Sequence, residues 1–319
     1  MKYSIVIPVF RNAGSVPDLL AAIGKLSIDL NRQMEAVFVV DGSPDNSWEL
    51  LETGTLDAPW PTQLLGHSRN FGSFAAIRSG LAAARGEYCA VMAADLQEPP
   101  ELVLSFFKGL TAGECDVAIG MREGRGDPLI MRVASRLFWG LYRRTVIRDI
   151  PPGGVDIFAC NRRFRDELLK LDESRSSLVA LVFWLGFRRK FFPYQRRKRL
   201  HGSSAWTLAK KIEYMADSMF AFTDYPIRLL IKSGFLGVLA ATLLAAVILA
   251  WKLAGLIEVP GYAATIIVVL FFGALNLLGL GIVGTYTWRA YENSKGRPLA
   301  IVARHIFNGK GGSECCNES

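Results

Sequence analysis

The sequence predicts an α/β fold: a mainly parallel sheet covered by helices, followed by two membrane-spanning helices. Three observations carry this. Short apolar runs alternate with helical patterns over residues 1 to about 120, the pattern of a parallel sheet wrapped on both faces. Two late stretches, 233–251 and 259–288, contain no charged residue; each can cross a hydrocarbon core about 30 Å thick, which takes about 20 helical residues. Hydrophobic residues make up 51% of the 319-residue chain and charged residues only 21%, an apolar balance that the two stretches explain.

The elements follow in order. A buried strand is expected at 3–10; this opening run is too short for a signal-peptide core with a cleavage site. Further strands are expected at 34–40, 63–66, 88–93 and 116–120, with helices at 16–26, 46–51, 73–84 and 100–110 between them. Pro99 and Pro100 start the last of these helices cleanly. Residues 121–200 are less regular. Leu208, Ile212, Met215, Met219 and Phe222 share one helical face, so 206–225 reads as an amphipathic helix lying in a membrane interface or packed on the sheet. The expected organisation is a cytosolic domain at 1–204, an interface helix at 205–226, spans at 227–251 and 261–288, and a cytoplasmic tail at 289–319.

Charge placement sets the expected topology. Arg228 and Lys232 precede the first span; Arg289, Lys295, Arg297 and Arg304 follow the second; the loop between holds only Lys252 and Glu258. The positive-inside rule then puts both termini in the cytoplasm, in a multi-pass protein of the inner (plasma) membrane. The formal charge is +8, and residues 185–211 carry nine Lys or Arg and no acid. Anionic head groups or a phosphate-bearing substrate are the economical partners for this segment and for the arginine-rich 122–148 stretch; a solvated basic face is the alternative, and nucleic acid is not expected. Cys89, Cys115, Cys160, Cys315 and Cys316 show no ligand spacing and read as reduced and incidental.

Ligands of parallel sheets bind beyond the carboxyl ends of the strands. Pro8, Phe10, Arg11 and Asn12 follow the first strand, Asp41-Gly42-Ser43-Pro44-Asp45 the second, and Asp95-Leu96-Gln97-Glu98 the fourth. Phe10 can stack on a base and Asp41 can accept from a base or ribose, although Asp41-Gly42-Ser43 alone also reads as a plain turn. Asp95 and Gln97, two apart on a segment taken as extended, would point the same way and offer hard oxygen ligands to Mg²⁺ or Mn²⁺ bridging a diphosphate. No GxGxxG follows the first strand and no GxxxxGK[ST] or GxSxG occurs, which disfavours dinucleotide enzymes, P-loop NTPases and α/β-hydrolases. His67, His201 and His305 are scattered and read as structural.

These segments together closely resemble family-2 glycosyltransferases with a GT-A-type fold, in the subgroup that glycosylates polyprenyl phosphates. The matching stretches are 4–10, 40–45, Ser68-Arg-Asn-Phe-Gly72, 93–101, Gly120-Met-Arg122, Gly153-Gly-Val-Asp156 and Gly202-Ser-Ser-Ala-Trp206. Their order and spacing cover the whole chain. The resemblance implies that Pro8, Phe10, Asn12, Asp41, Ser43, Arg69 and Asn70 bind the nucleotide-sugar, that Asp95 and Gln97 hold the metal, and that Arg122, Arg132 and Ser135 face the acceptor phosphate. Asp95 and Asp156 are the catalytic carboxylates it implies, the loop 196–206 would close over the donor, and the protein would be a homo-oligomer. One carboxylate of the usual Asp-x-Asp pattern is replaced by Ala93, and Val40 stands before Asp41 where the family commonly has Asp.

The function expected is inverting transfer of a hexose from a nucleotide-sugar, UDP-linked in this subgroup, to a polyisoprenyl phosphate such as undecaprenyl phosphate, feeding cell-envelope glycan. A membrane glycosyltransferase with a hydroxyl acceptor, for which Asp156 would be the base, is the rival enzyme reading. A non-catalytic nucleotide-sugar-binding partner of a membrane complex is the rival from another class, motivated by Ala93.

Overall fold

The computed structural model describes residues 1–123, 157–173, 176–197, 208–254 and 262–308, together with short stretches between 140 and 155. The expected site residues Arg132, Ser135 and Asp156, and most of the loop 196–206, lie outside the described residues. The chain divides into two compact units, Met1–Glu213 with Pro298–Ser319, and Tyr214–Arg297.

The first unit is built on eight strands: β1 Tyr3–Val9, β2 Met34–Val40, β3 Thr62–His67, β4 Tyr88–Val91, β5 Val117–Arg122, β6 Phe158–Asn161, β7 Arg189–Tyr194 and β8 Val302–Asn308. Its helices are α1 Val16–Asp29, α2 Ser47–Thr55, α3 Ser73–Ala83, α4 Pro100–Thr111, α5 Arg162–Lys170 and α6 Leu178–Trp184. The strands form one sheet in the order β7-β5-β6-β4-β1-β2-β3-β8. The β1–β2, β1–β4, β2–β3 and β5–β7 pairs are parallel; β4–β6, β5–β6 and β3–β8 are antiparallel. The sheet is thus mainly parallel and α/β, as the alternation of patterns predicts.

Burial explains the composition of the central strands. Every residue of β2, Met-Glu-Ala-Val-Phe-Val-Val, is buried, because helices cover both faces and no polar side is left to alternate. On α1 the buried side chains Val16, Leu19, Ile23 and Leu26 recur at helical spacing, and α4 contributes Phe106 and Phe107 to the same core. Truncating one of these phenylalanines to Ala is expected to cost about 3–5 kcal/mol. Gly80 lets α3 approach β1 closely: a Cβ there would lie 2.3 Å from Val6 Cγ1.

The last strand comes from beyond the apolar helices. β8 pairs with β3 from Thr62↔Asn308 to His67↔Val302, with an irregularity between Gly66 and His67. His305 Nε2 lies 3.0 Å from Gln63 Oε1, and Arg304 sits over the Trp48 ring. The stretch expected as a tail therefore supplies an edge strand of the sheet.

α7, Leu208–Phe222, begins in the first unit and continues into the second, which also holds α8, Tyr225–Leu253, and α9, Tyr262–Ser294. Within α8 and α9, Tyr225–Leu244 and Phe271–Ser294 are long and apolar enough to cross a membrane. Their large side chains, among them Leu229, Leu236, Phe271 and Leu278, are exposed; a helix apolar on its outside needs an apolar solvent. Asp217, Phe220 and Thr223 of this unit meet α9 through an Arg289–Asp217 ion pair of 2.5 Å, the Arg289 guanidinium over the Phe220 ring, and a hydrogen bond from Tyr286 Oη to the Thr223 carbonyl.

Candidate functional site

Strand order fixes where a ligand can sit. From β1 the chain moves outward through β2 and β3, then returns to place β4 on the other flank of β1. The loops after β1 and β4 therefore diverge, and the crevice between them is the topological switch point where parallel sheets bind ligands. The segments 10–12, 41–45, 68–72 and 95–98 all leave this rim. β5 runs in the same direction as β4, being antiparallel to β6, which is antiparallel to β4, so Arg122 ends on the rim as well.

Asp41 is the hub of the β2 end. It is 2% exposed. Its Oδ1 accepts from the Phe71 amide at 2.8 Å and its Oδ2 from the Gly72 amide at 2.7 Å, while Asn70 Nδ2 reaches the Asp41 carbonyl at 3.3 Å. The carboxylate thus holds the 70–72 loop, and the sequence-predicted ligand of the nucleotide shapes the wall beside it. Gly42 makes this possible. Its φ is +57, and a Cβ would lie 2.3 Å from the Arg69 carbonyl carbon, so only glycine admits the loop. Arg69 lies exposed on that loop with its guanidinium 4.0 Å from the Phe71 ring centroid.

The β1 loop is fastened to the β2 loop. Asn12 Oδ1 accepts from the Phe10 amide at 3.2 Å, and Ser43 Oγ accepts from the Arg11 amide at 2.7 Å. Ser43 donates in turn to Asp45 Oδ1 at 2.6 Å, and Asp45 Oδ2 accepts from the Ala13 amide at 3.1 Å. Burial alone raises the Asp45 carboxyl, but hydrogen bonds from Ser43, Ser47 and the Ala13 amide outweigh it and leave its pKa below the ordinary carboxylate value. Phe10 and Pro8 are each half-buried. The sequence marks Asp45 as part of the segment after β2 but assigns it no role; its distance of 32 residues from Ala13 leaves no local pattern.

The β4 end departs from the expected geometry. Leu96 has φ +52, so the segment from Asp95 to Gln97 is a turn and not extended chain, and the two side chains do not share a direction through strand alternation. The Gln97 amide donates to Asp95 Oδ1 at 3.3 Å. The Gln97 carboxamide turns to the segment after β7, where its Oε1 accepts from Arg196 Nη2 at 2.7 Å.

Arg122 closes the rim. Its residue pairs with Tyr194 in the β5–β7 register, and its Nε is buried with no hydrogen-bond partner among the described residues. Five cations of the basic segment 185–211 are paired among the described residues. Arg188 pairs with Asp116, Arg189 with Asp149, Lys190 with Glu114, Arg196 with Glu98 and Arg197 with Glu101. These five cations thus tie β7 and the residues flanking it to neighbouring acids.

Comparison with known proteins agrees with this architecture. The model of Glycosyl transferase family 2 matches residues 4–171. The chain is 30% identical over 304 residues to the uncharacterized glycosyltransferase YkcC of Bacillus subtilis (strain 168), covering 95% of this chain and 94% of that protein. It is 28% identical over 311 residues to the undecaprenyl-phosphate 4-deoxy-4-formamido-L-arabinose transferase of Salmonella choleraesuis (strain SC-B67), covering 96% and 94%. Its fold is similar to that of glucosyl-3-phosphoglycerate synthase from Mycobacterium tuberculosis, solved with Mn²⁺, UDP-glucose and phosphoglyceric acid: the TM-score is 0.50 at 15% identity, over 68% of this chain and 78% of that one. With a GT-A-like sheet, a rim of polar strand ends at its switch point and a family match across that rim, the chain belongs to glycosyl transferase family 2 and is a glycosyltransferase.

Proposed function

We propose that this glycosyltransferase moves a hexose from a nucleotide-sugar, a UDP-hexose, to a polyisoprenyl phosphate at the cytoplasmic face of a membrane, with inversion. The observation that carries the reading is the extent of the match to the Salmonella transferase: at 96% of this chain it takes in the apolar helices as well as the rim.

The donor lies in the crevice between the β1 and β4 ends. Pro8, Phe10, Asn12, Ser43, Arg69 and Asn70 line its nucleotide end, and Asp41 holds that wall in place. Asp95 faces the diphosphate. The residues present fit a divalent cation that the substrate helps to coordinate: Asp95 supplies one carboxylate, while the Gln97 oxygen is engaged by Arg196. Mg²⁺ and Mn²⁺ sites of this kind draw the rest of their ligands from phosphate and water, and such an ion would neutralise charge developing on the leaving nucleoside diphosphate.

The acceptor needs no strong base. A phosphate monoester has a second pKa of about 6 and is largely dianionic at neutral pH. One of its oxygens attacks the anomeric carbon as the bond to the diphosphate breaks. The task left to the protein is to hold two anions together, and Arg122, with Arg132 and Ser135, is assigned to the acceptor phosphate. Asp156 is assigned to orienting the sugar or acceptor.

Connectivity supports the membrane placement. β8 follows α9 and rejoins β3 in the first unit, so the chain leaves that unit and returns to it, and a pair of crossings satisfies this. The excess of Lys and Arg outside the two spans over the Lys252–Glu258 loop supports a cytoplasmic first unit.

The test is a screen of nucleotide-sugars against undecaprenyl phosphate with the full chain in membranes, the lipid product being weighed by mass spectrometry. Transfer should require Mg²⁺ or Mn²⁺ and should fall at least about a hundredfold in Asp95→Asn, the scale of losing a charge stabiliser. Glycosylation of a hydroxyl lipid with none of the phosphate, or an Asp95→Asn enzyme within a few-fold of the parent, overturns the proposal.

A further inference from the structure

The turn after β4 is bound to a segment about a hundred residues later in the chain. Arg196 Nη2 donates to Gln97 Oε1 at 2.7 Å, and Arg196 Nε lies 3.7 Å from Glu98 Oε1. The Arg197 amide donates to the Gln97 carbonyl at 2.7 Å, and Gln97 Nε2 donates to the Arg197 carbonyl at 3.4 Å. Glu98 is 2% exposed. A carboxylate that deep favours a cation beside it, and Arg196 lies within ion-pair distance. One planar guanidinium therefore lies against two adjacent side chains, a geometry that its rigid fork suits better than an ammonium does.

The same turn contains Leu96 at φ +52. A left-handed conformation is disfavoured for an L-residue by about tenfold or more, and it persists where the surroundings over-determine it. The residue before it is Asp95, and the amide after it donates to the Asp95 carboxylate at 3.3 Å. Strain, clasp and donor-site carboxylate thus occupy four consecutive positions.

We propose that Arg196 is a positioning residue for Asp95: its clasp on Gln97 and Glu98 holds the strained Leu96 turn and so aims the Asp95 carboxylate at the donor diphosphate. This rests on the reading of Asp95 as the donor-site carboxylate. Arg196 acts through the turn and touches no reacting atom. Losing it lets Leu96 relax to a right-handed conformation, which swings the Asp95 carboxylate away.

The experiment compares Arg196→Met, Arg196→Lys, Leu96→Asn and the double variant Leu96→Asn/Arg196→Met in the full chain. Asparagine tolerates the left-handed region, so it relieves the strain that the clasp opposes. Calorimetric titration of UDP-sugar with Mn²⁺ should show about tenfold weaker binding for Arg196→Met, partial recovery in Arg196→Lys, and recovery of several-fold when Leu96→Asn is added. A role confined to global stability predicts a lower melting temperature without rescue by Leu96→Asn. Donor binding within twofold of the parent in Arg196→Met, or no rescue in the double variant, overturns the proposal. Hydrogen exchange of the 95–98 amides keeps the inference separate from the functional reading. Should the parent bind no nucleotide-sugar, faster exchange at these amides in Arg196→Met, slowed again by Leu96→Asn, still supports the clasp, and unchanged exchange overturns it.

Discussion

His67 Nδ1 stands 2.8 Å from Asp41 Oδ1, joining the ends of β3 and β2 in a pair whose side chains are 0% and 3% exposed. The other ring nitrogen, Nε2, lies 2.9 Å from Ser79 Oγ on α3. The carboxylate can only accept, so the Nδ1 proton points at it. The pair makes the wall of the donor crevice a property of three elements at once.

Asp41→Ala should therefore destabilise more than His67→Ala. It orphans two backbone amides and the imidazole, and each buried donor left unmatched costs about 1–3 kcal/mol; His67→Ala leaves both amides bonded. Thermal melting of the two variants, with donor titration alongside, checks the order. A larger loss in His67→Ala would remove Asp41 from the centre of the network.

Gly42→Ala should weaken donor binding by at least about tenfold, since the new Cβ would meet the Arg69 and Asn70 backbone at 2.3–2.7 Å and push their loop aside. Gly113→Ala is the control. Its φ is +70 but nothing lies within 4 Å, so it should cost about 1–2 kcal/mol in stability and leave donor affinity alone. Equal donor affinities in the two variants would refute the packing argument.

Arg122→Ala should weaken use of the lipid phosphate and leave the nucleotide-sugar nearly untouched. Loss of a charge-assisted hydrogen bond at a partly desolvated site costs about 1.5–3 kcal/mol, or roughly 10- to 150-fold. Arg122→Lys should recover part, lacking the planar fork. Rate saturation with lipid and calorimetry with donor separate the two; a selective loss of donor affinity would move Arg122 to the diphosphate.

Docking of β8 should weaken in mild acid. Burial, and secondarily the charge of Arg85, lower the His305 pKa from its ordinary value of 6.5. The ring also faces Gln63 of β3, whose amide nitrogen donates to buried Glu35 at 3.1 Å. Because the folded pKa is the lower one, the unfolded chain takes up the proton first; stability is fully present above about 6.5 and is lost as pH falls toward the folded value. Amide protection over 302–308, corrected for intrinsic exchange, should drop between pH 7.5 and 5.5 in the parent. It should drop less in His305→Gln.

The sequence made β1 to β5 and their helices legible because each strand is an apolar run stopped by turn residues, as in Val37-Phe-Val-Val-Asp41. β7 hid behind its composition: Arg189-Lys-Phe-Phe-Pro-Tyr194 is an edge strand, and edges carry the charges and proline that a central strand excludes. The rim residues were found as strand ends. Their partners were not, since Arg196 meets Gln97 across 99 residues and Arg188 meets Asp116 across 72, separations with no periodicity to read.

The place of β8 has a consequence for how the protein is made. The ribosome releases β3 early, but the strand that covers its outer edge emerges only after α8 and α9. Until then the nascent sheet presents an unpaired row of amides and carbonyls, a template for aberrant pairing. Completion of the sheet thus waits on synthesis of the two apolar helices. A chain halted before them would carry every rim residue and still lack its final strand.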